Sequence, residues 1–130
     1  MKPFLTDSIF SKESHYAHDQ IVPAFAVEEN QKSGILKALS SMLAKELGKP
    51  ENYVMVIIDQ CAAMMSGDEG KAAFADIRGI GGFSGPVNKK LSNALCDYIL
   101  KTFNIPPERV YMNFTNVNAA DWGWNKGTFG

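Results

Sequence analysis

"KALSSMLAKELGKPENYV" (Lys37–Val54) and "NALCDYILKTFNIPPERV" (Asn93–Val110) stand 56 residues apart and are two copies of one unit. Ala38 and Ala94, Leu39 and Leu95, Lys45 and Lys101, Pro50 and Pro106, and Val54 and Val110 are identical at that shift. The apolar pairs Ile35/Leu91, Leu43/Ile99 and Leu47/Phe103 keep the same register, although Leu36 falls on Ser92. In the first copy Ile35, Leu36, Leu39, Met42, Leu43 and Leu47 recur at the three- and four-residue spacing of an amphipathic helix. Asn30 or Ser33 suits its start, and Gly48 followed by Pro50 ends it. In the second, Pro86 suits a first turn and Pro106-Pro107 is the stop.

Strands follow both stops. "YVMVII" (Tyr53–Ile58) reads as a buried strand and "RVYMNFT" (Arg109–Thr115) as another. "AAFADIR" (Ala72–Arg78) is a weaker strand, and "GIGGFSGP" after it is a loop. Helix, stop and strand coincide at one shift, so the chain reads as two β-α-β units. The expected fold is α/β (α+β), a four-stranded sheet with two helices on one face. The other face then needs a cover, which a symmetric oligomer supplies. The repeat carries Phe74 back to His18 and Arg78 back to Val22, placing the first strand at about Tyr16 to Val22. Residues 1–17 then form an N-terminal extension and 18–130 the domain.

Totals narrow the function. The 130 residues suit one domain, and 45% apolar content suffices for a core. Thirteen basic and fourteen acidic residues leave a net charge of −1, no electrostatic case for nucleic acid or an anionic membrane. Cys61 and Cys96 make neither a disulfide framework nor a zinc site, and no metal or cofactor is expected. No run approaches a membrane span, and Asp7, Ser8, Lys12 and Glu13 break the apolar start that a signal peptide needs.

From Gly34 onward the chain resembles the macrophage migration inhibitory factor family of the tautomerase superfamily. "GKPENYVMV", "GIGGF" and "IPPERVYMNFTNVNAADWGWNKGTFG" carry the likeness. It implies a homotrimer with pockets between subunits, and keto–enol tautomerisation of phenylpyruvate- or dopachrome-like substrates. It also implies a cytokine role in animals, with a cell-surface receptor as partner, and a cytoplasmic protein secreted without a signal peptide. The family's substrate-orienting lysine falls on Lys49, and its isoleucine, whose backbone binds substrate, on Ile80. Its tyrosine and asparagine from a neighbouring subunit fall on Tyr111 and Asn113. Its pocket wall falls on Tyr53, Trp122, Trp124 and Phe129, with Trp122 bulkier than usual. Ala72 and Ala75 stand where the human type has CxxC.

Each of these positions also has a plainer reading. Lys49 ends a helix, where a cation complements the dipole. Asn113 is unfavourable in mid-strand, which fits a pocket contact or an edge facing water. The tail aromatics suit a pocket wall, a core or a subunit contact.

The resemblance implies an N-terminal proline amine as the base. A proline within a chain has a tertiary amide nitrogen and cannot serve. Pro3, in "PFLT", leaves about fifteen extra residues before the first helix; Pro23, in "PAFAV", leaves about five too few; the ungapped alignment puts His18 there. The local pattern favours Pro23, freed by processing. A trimer of the same fold that binds partners without efficient catalysis is the alternative.

Overall fold

A computed structural model describes the backbone of residues 5–12 and the whole of residues 27–130. Four strands form one sheet in the order β2-β1-β3-β4. They are β1 (Leu5–Lys12), β2 (Val54–Gln60), β3 (Ala72–Gly79) and β4 (Val110–Asn116). β1 runs parallel to β2 and antiparallel to β3, and β4 runs parallel to β3. Each unit is therefore a parallel strand pair joined through a helix, α1 (Glu29–Leu47) or α2 (Gly85–Phe103). The α+β arrangement expected from the repeat is the one observed.

The first strand is not where the repeat placed it. Leu5–Lys12 pairs with both β2 and β3, whereas Tyr16–Val22 lies outside the described residues. Sixteen residues separate β1 from α1, but five separate β3 from α2. The excess of eleven is the distance by which β1 lies upstream of the repeat register. A register taken from helix and strand cannot cross connections of unequal length.

The helices match the sequence reading where they are apolar. α1 starts at Glu29, ahead of the first apolar position Ile35; residues 29–34 contribute no buried side chain and so leave no period to detect in the sequence. Neither Asn30 nor Ser33 caps it; the Glu28 carbonyl accepts the Gln31 and Lys32 amides instead, at 2.9 and 3.2 Å. The side chain of Ser84 does cap α2, accepting from the Val87 amide at 3.4 Å. Both helices end in a left-handed residue, Gly48 at φ 63° and Asn104 at φ 55°. Glycine and asparagine tolerate that conformation best.

The core lies between the helices and one sheet face. Leu39 and Leu43 of α1 and Leu91, Leu95 and Ile99 of α2 pack with Ala75 and Ile77 of β3. All seven are 0% exposed. Each buried leucine or isoleucine stabilises the fold by roughly 1.5–3 kcal/mol. The strands alternate: Val54, Val56 and Ile58 of β2 and Val110, Met112 and Phe114 of β4 face this core. Met55, Ile57, Phe74 and Tyr111 on the opposite face are 40–63% exposed in the single chain. β2 is thus covered on one face only, unlike the fully buried strand that its β-branched run suggested. No described helix is long and apolar enough to cross a membrane.

Candidate functional site

Gly48 reverses the chain at the end of α1, and Lys49 is the next residue. Its amide bonds the Ala44 carbonyl at 2.9 Å, which fixes the turn. The side chain runs to the loop after β3. There Nζ donates to the Ile80 carbonyl at 3.1 Å and to the Gly81 carbonyl at 2.5 Å. Lys49 is 8% exposed, a buried cation. Burial lowers its pKa below the ordinary lysine value, because desolvation disfavours the charged form. The Phe83 ring stands 5.8 Å from Nζ, a cation–π distance. Two carbonyls use two of the three ammonium protons. Lys49 is therefore more than a charge at a helix end.

This seat lies at one end of the sheet. Gly79, which precedes Ile80, pairs with Leu5, and Leu5 pairs with Val54. So the start of β1, the start of β2 and the Lys49 loop share that end. Pro50 and a short 3-10 turn, Glu51–Tyr53, carry the chain from Lys49 into β2. Tyr53 meets Trp124 edge-on at 6.4 Å and Phe129 edge-on at 6.1 Å. Trp124 and Phe129 stack at 5.4 Å, 13° from parallel. The two-residue strands β5 (Gly123–Trp124) and β6 (Gly127–Thr128) make that stack by folding the tail on itself. Asn125 and Lys126, at φ 49° and 67°, form the turn between them. The Phe129 amide then bonds the Trp122 carbonyl at 3.1 Å.

Of the residues expected in the site, Lys49 and Ile80 touch, and Tyr53, Trp124 and Phe129 form one aromatic cluster. Trp122 instead lines a polar cleft of about 270 Å³ with Arg78, Val117, Asp121 and Gly123. Tyr111 and Asn113 are on the open face of the sheet, level with Phe74 and Asp76. Those levels are five and three residues back along β3 from Gly79, about 17 and 10 Å at strand rise. The amide of Asn113 donates to Asp76 Oδ1 at 3.3 Å and to Thr115 Oγ1 at 2.5 Å. The Arg78 guanidinium grips the other Asp76 oxygen at 2.7 Å and, with the Asn113 contact, holds that carboxyl below its usual pKa. Tyr111 also borders an apolar cleft of about 420 Å³ with Cys61, Met64, Met65 and Phe74. Pro23 and His18 lie outside the described residues.

Sequence reading missed Phe83 and the Gly81 carbonyl. An aromatic residue beside a run of glycines, in a loop otherwise free of charge, was the available signal. Cys61 and Cys96 are both free thiols, and burial raises that of Cys96.

The model of the macrophage migration inhibitory factor family matches residues 21–130. The Xenopus tropicalis macrophage migration inhibitory factor is 39% identical over 114 residues, covering 83% of this chain and 99% of its own. A homolog from Trichinella spiralis is 35% identical, with 83% of this chain and 100% of its own covered. Among solved structures, a homologue from Prochlorococcus marinus superposes with a TM-score of 0.81 at 30% identity, over 96% of this chain and 99% of that one. The Toxoplasma gondii protein gives 0.81 at 28% identity, over 95% and 99%.

Proposed function

Because the chain belongs to the macrophage migration inhibitory factor family, we propose that it is a homotrimeric tautomerase for phenylpyruvate- or dopachrome-like keto acids. One observation carries this reading: a buried ammonium, held by the Ile80 and Gly81 carbonyls, at the same end of the sheet as the aromatic cluster built on Tyr53. A small aromatic keto acid has the matching parts. Its carboxylate pairs with the remaining Lys49 proton, and its ring lies against Tyr53, Trp124 and Phe129.

The reaction moves one proton. A base takes it from the carbon beside the carbonyl, that C–H pair becomes the enolate double bond, and the enol oxygen is protonated in turn. Asn113 and Tyr111 are suited to hold that oxygen but stand about 10 and 17 Å along the sheet from Gly79 in their own chain. A neighbouring subunit brings them to the site, and its arrival covers Met55, Ile57 and Phe74. The base is a prolyl amine freed by processing, from Pro23 or Pro3. Lys49 nearby keeps that amine neutral by opposing a second positive charge.

A second reading rests on the position of both prolines inside the chain. An unprocessed chain keeps the anion seat and the aromatic cluster but has no base. It then acts as a cytokine-like binding protein, cytoplasmic or exported without a signal peptide, with a cell-surface receptor. Phenylpyruvate tautomerase activity, measured beside intact mass and N-terminal sequence, tests both. The enzyme reading expects activity only where a proline leads, lost in Lys49→Ala. Full activity with Met1 retained sinks this account of the base, and full activity in Lys49→Ala sinks the anion seat.

A further inference from the structure

A protein that buries an ammonium usually sets a carboxylate against it, because an uncompensated charge is costly to desolvate. Lys49 is held differently: among the described residues its hydrogen-bond partners are two backbone carbonyls. The loop that supplies them is shaped for the purpose. Gly81 and Gly82 have φ of 74° and 93°, a conformation other residues rarely adopt. A Cβ at Gly82 would lie 2.8 Å from Lys49 Cε and 3.2 Å from Nζ. A side chain at 82 therefore requires the end of Lys49 to shift in its seat, and it strains the backbone as well. Phe83 closes the seat with its ring face toward Nζ and is steadied by Phe114, centroids 6.0 Å apart.

We propose that Gly82 and Phe83 are positioning residues for the Lys49 ammonium, holding it without an acid so that its charge stays available to the carboxylate of an arriving ligand. Carbonyl dipoles and a ring quadrupole stabilise a cation but leave its net charge in place. A carboxylate partner would cancel that charge and compete with the ligand. At a buried lysine, 8% exposed, the retained charge acts through a lower dielectric than water's, which makes it selective for anions. The inference rests on Lys49 being the anion seat.

The test measures affinity by titration calorimetry on the full chain, for phenylpyruvate and for its uncharged methyl ester. Gly82→Ala is expected to weaken phenylpyruvate roughly tenfold or more, the scale of hydrogen bonds to a charged group. Phe83→Leu should weaken it about two- to fivefold, the scale of a partly exposed cation–π contact. Phe83→Tyr, which keeps the ring face, should restore it. The ester should bind all four proteins alike. If both loop variants bind phenylpyruvate as the parent does while Lys49→Ala loses it, the positioning role is wrong and the anion seat stands. Equal losses for acid and ester also overturn it, since they report general damage to the pocket. If Lys49→Ala keeps full phenylpyruvate affinity, the seat itself fails and the inference with it. Should Gly82→Ala not fold, the Phe83 pair decides: leucine binding as well as tyrosine refutes the proposal.

Discussion

Which proline can serve the Lys49 seat is a question of chain length, and it has a numerical answer. α1 has nineteen residues and is about 28 Å long at 1.5 Å per residue. Lys49 is just past its C-terminal end, and Glu28 stands at the other. Five links join Pro23 to Glu28, and no conformation stretches them beyond about 18 Å. Val27 tightens the bound, because it is anchored in the core at 8% exposure. A free amine at Pro23 therefore falls roughly 10 Å short of the Lys49 loop while α1 is intact. Pro3 is two links, about 7 Å, from Leu5, whose partners Val54 and Gly79 border that loop. The local sequence pattern favours Pro23, and the chain's reach favours Pro3. Two proteins decide it, one beginning Met-Pro3 and one Met-Pro23, with the methionine removed during expression and the free proline verified by mass. The Pro3 protein should turn over phenylpyruvate, and the Pro23 protein should be at least a hundredfold slower, since even 1 Å of misplacement can cost that much. The reasoning is refuted if the Pro23 protein matches the Pro3 protein while circular dichroism shows α1 at full length. If Pro23 were active with about six helical residues lost, residues 29–34 would have unwound, a change that exposes no buried side chain of α1.

Three other outcomes are expected. Burial sets the Lys49 pKa below the ordinary 10.5, so the KM for phenylpyruvate should climb at a lower pH than an exposed lysine would give, with the methyl ester flat. Across the same window Lys49 holds its proton more fully in the unfolded chain than in the folded one, so this group's contribution to stability increases with pH; if the parent gains nothing relative to Lys49→Met as the pH rises, the assignment is contradicted. Arg109 donates to the carbonyls of Met65, Asp68, Gly70 and Lys71, so Arg109→Ala should cost about 2 kcal/mol in urea unfolding, and a change below ~0.5 kcal/mol would show that the loop holds itself. Leu95→Ala, at a site 0% exposed, should cost about 2–5 kcal/mol by the same method.

Both helices and three of the four large strands were legible because their buried residues recur at fixed spacing. β1 was not, because the longer connection before α1 breaks the register from which it was inferred. Lys49 was found through resemblance, but its hold by two backbone carbonyls depends on φ at Gly81 and Gly82, which composition does not encode. Asn113 reads as a polar residue out of place in a strand; its attachment to Asp76 and Thr115 depends on strand pairing. Trp122 and Trp124 look alike in sequence, but Trp122 closes the 3-10 turn Ala119–Asp121 and lines the polar cleft, whereas Trp124 lies in β5 and stacks on Phe129.

The two left-handed helix ends have one more consequence. Fifty-six residues after Lys49 stands Ile105, also directly behind a left-handed residue, and it is 0% exposed. Tyr53 has Arg109 as its counterpart, which fastens a loop where Tyr53 meets aromatic rings. The duplicated halves thus share a scaffold and divide the labour. At these two positions one half carries a cation and a ring; the other spends them on oil and rivet. Doubling the unit doubled the framework, but among the described residues the second half does not repeat the Lys49 seat.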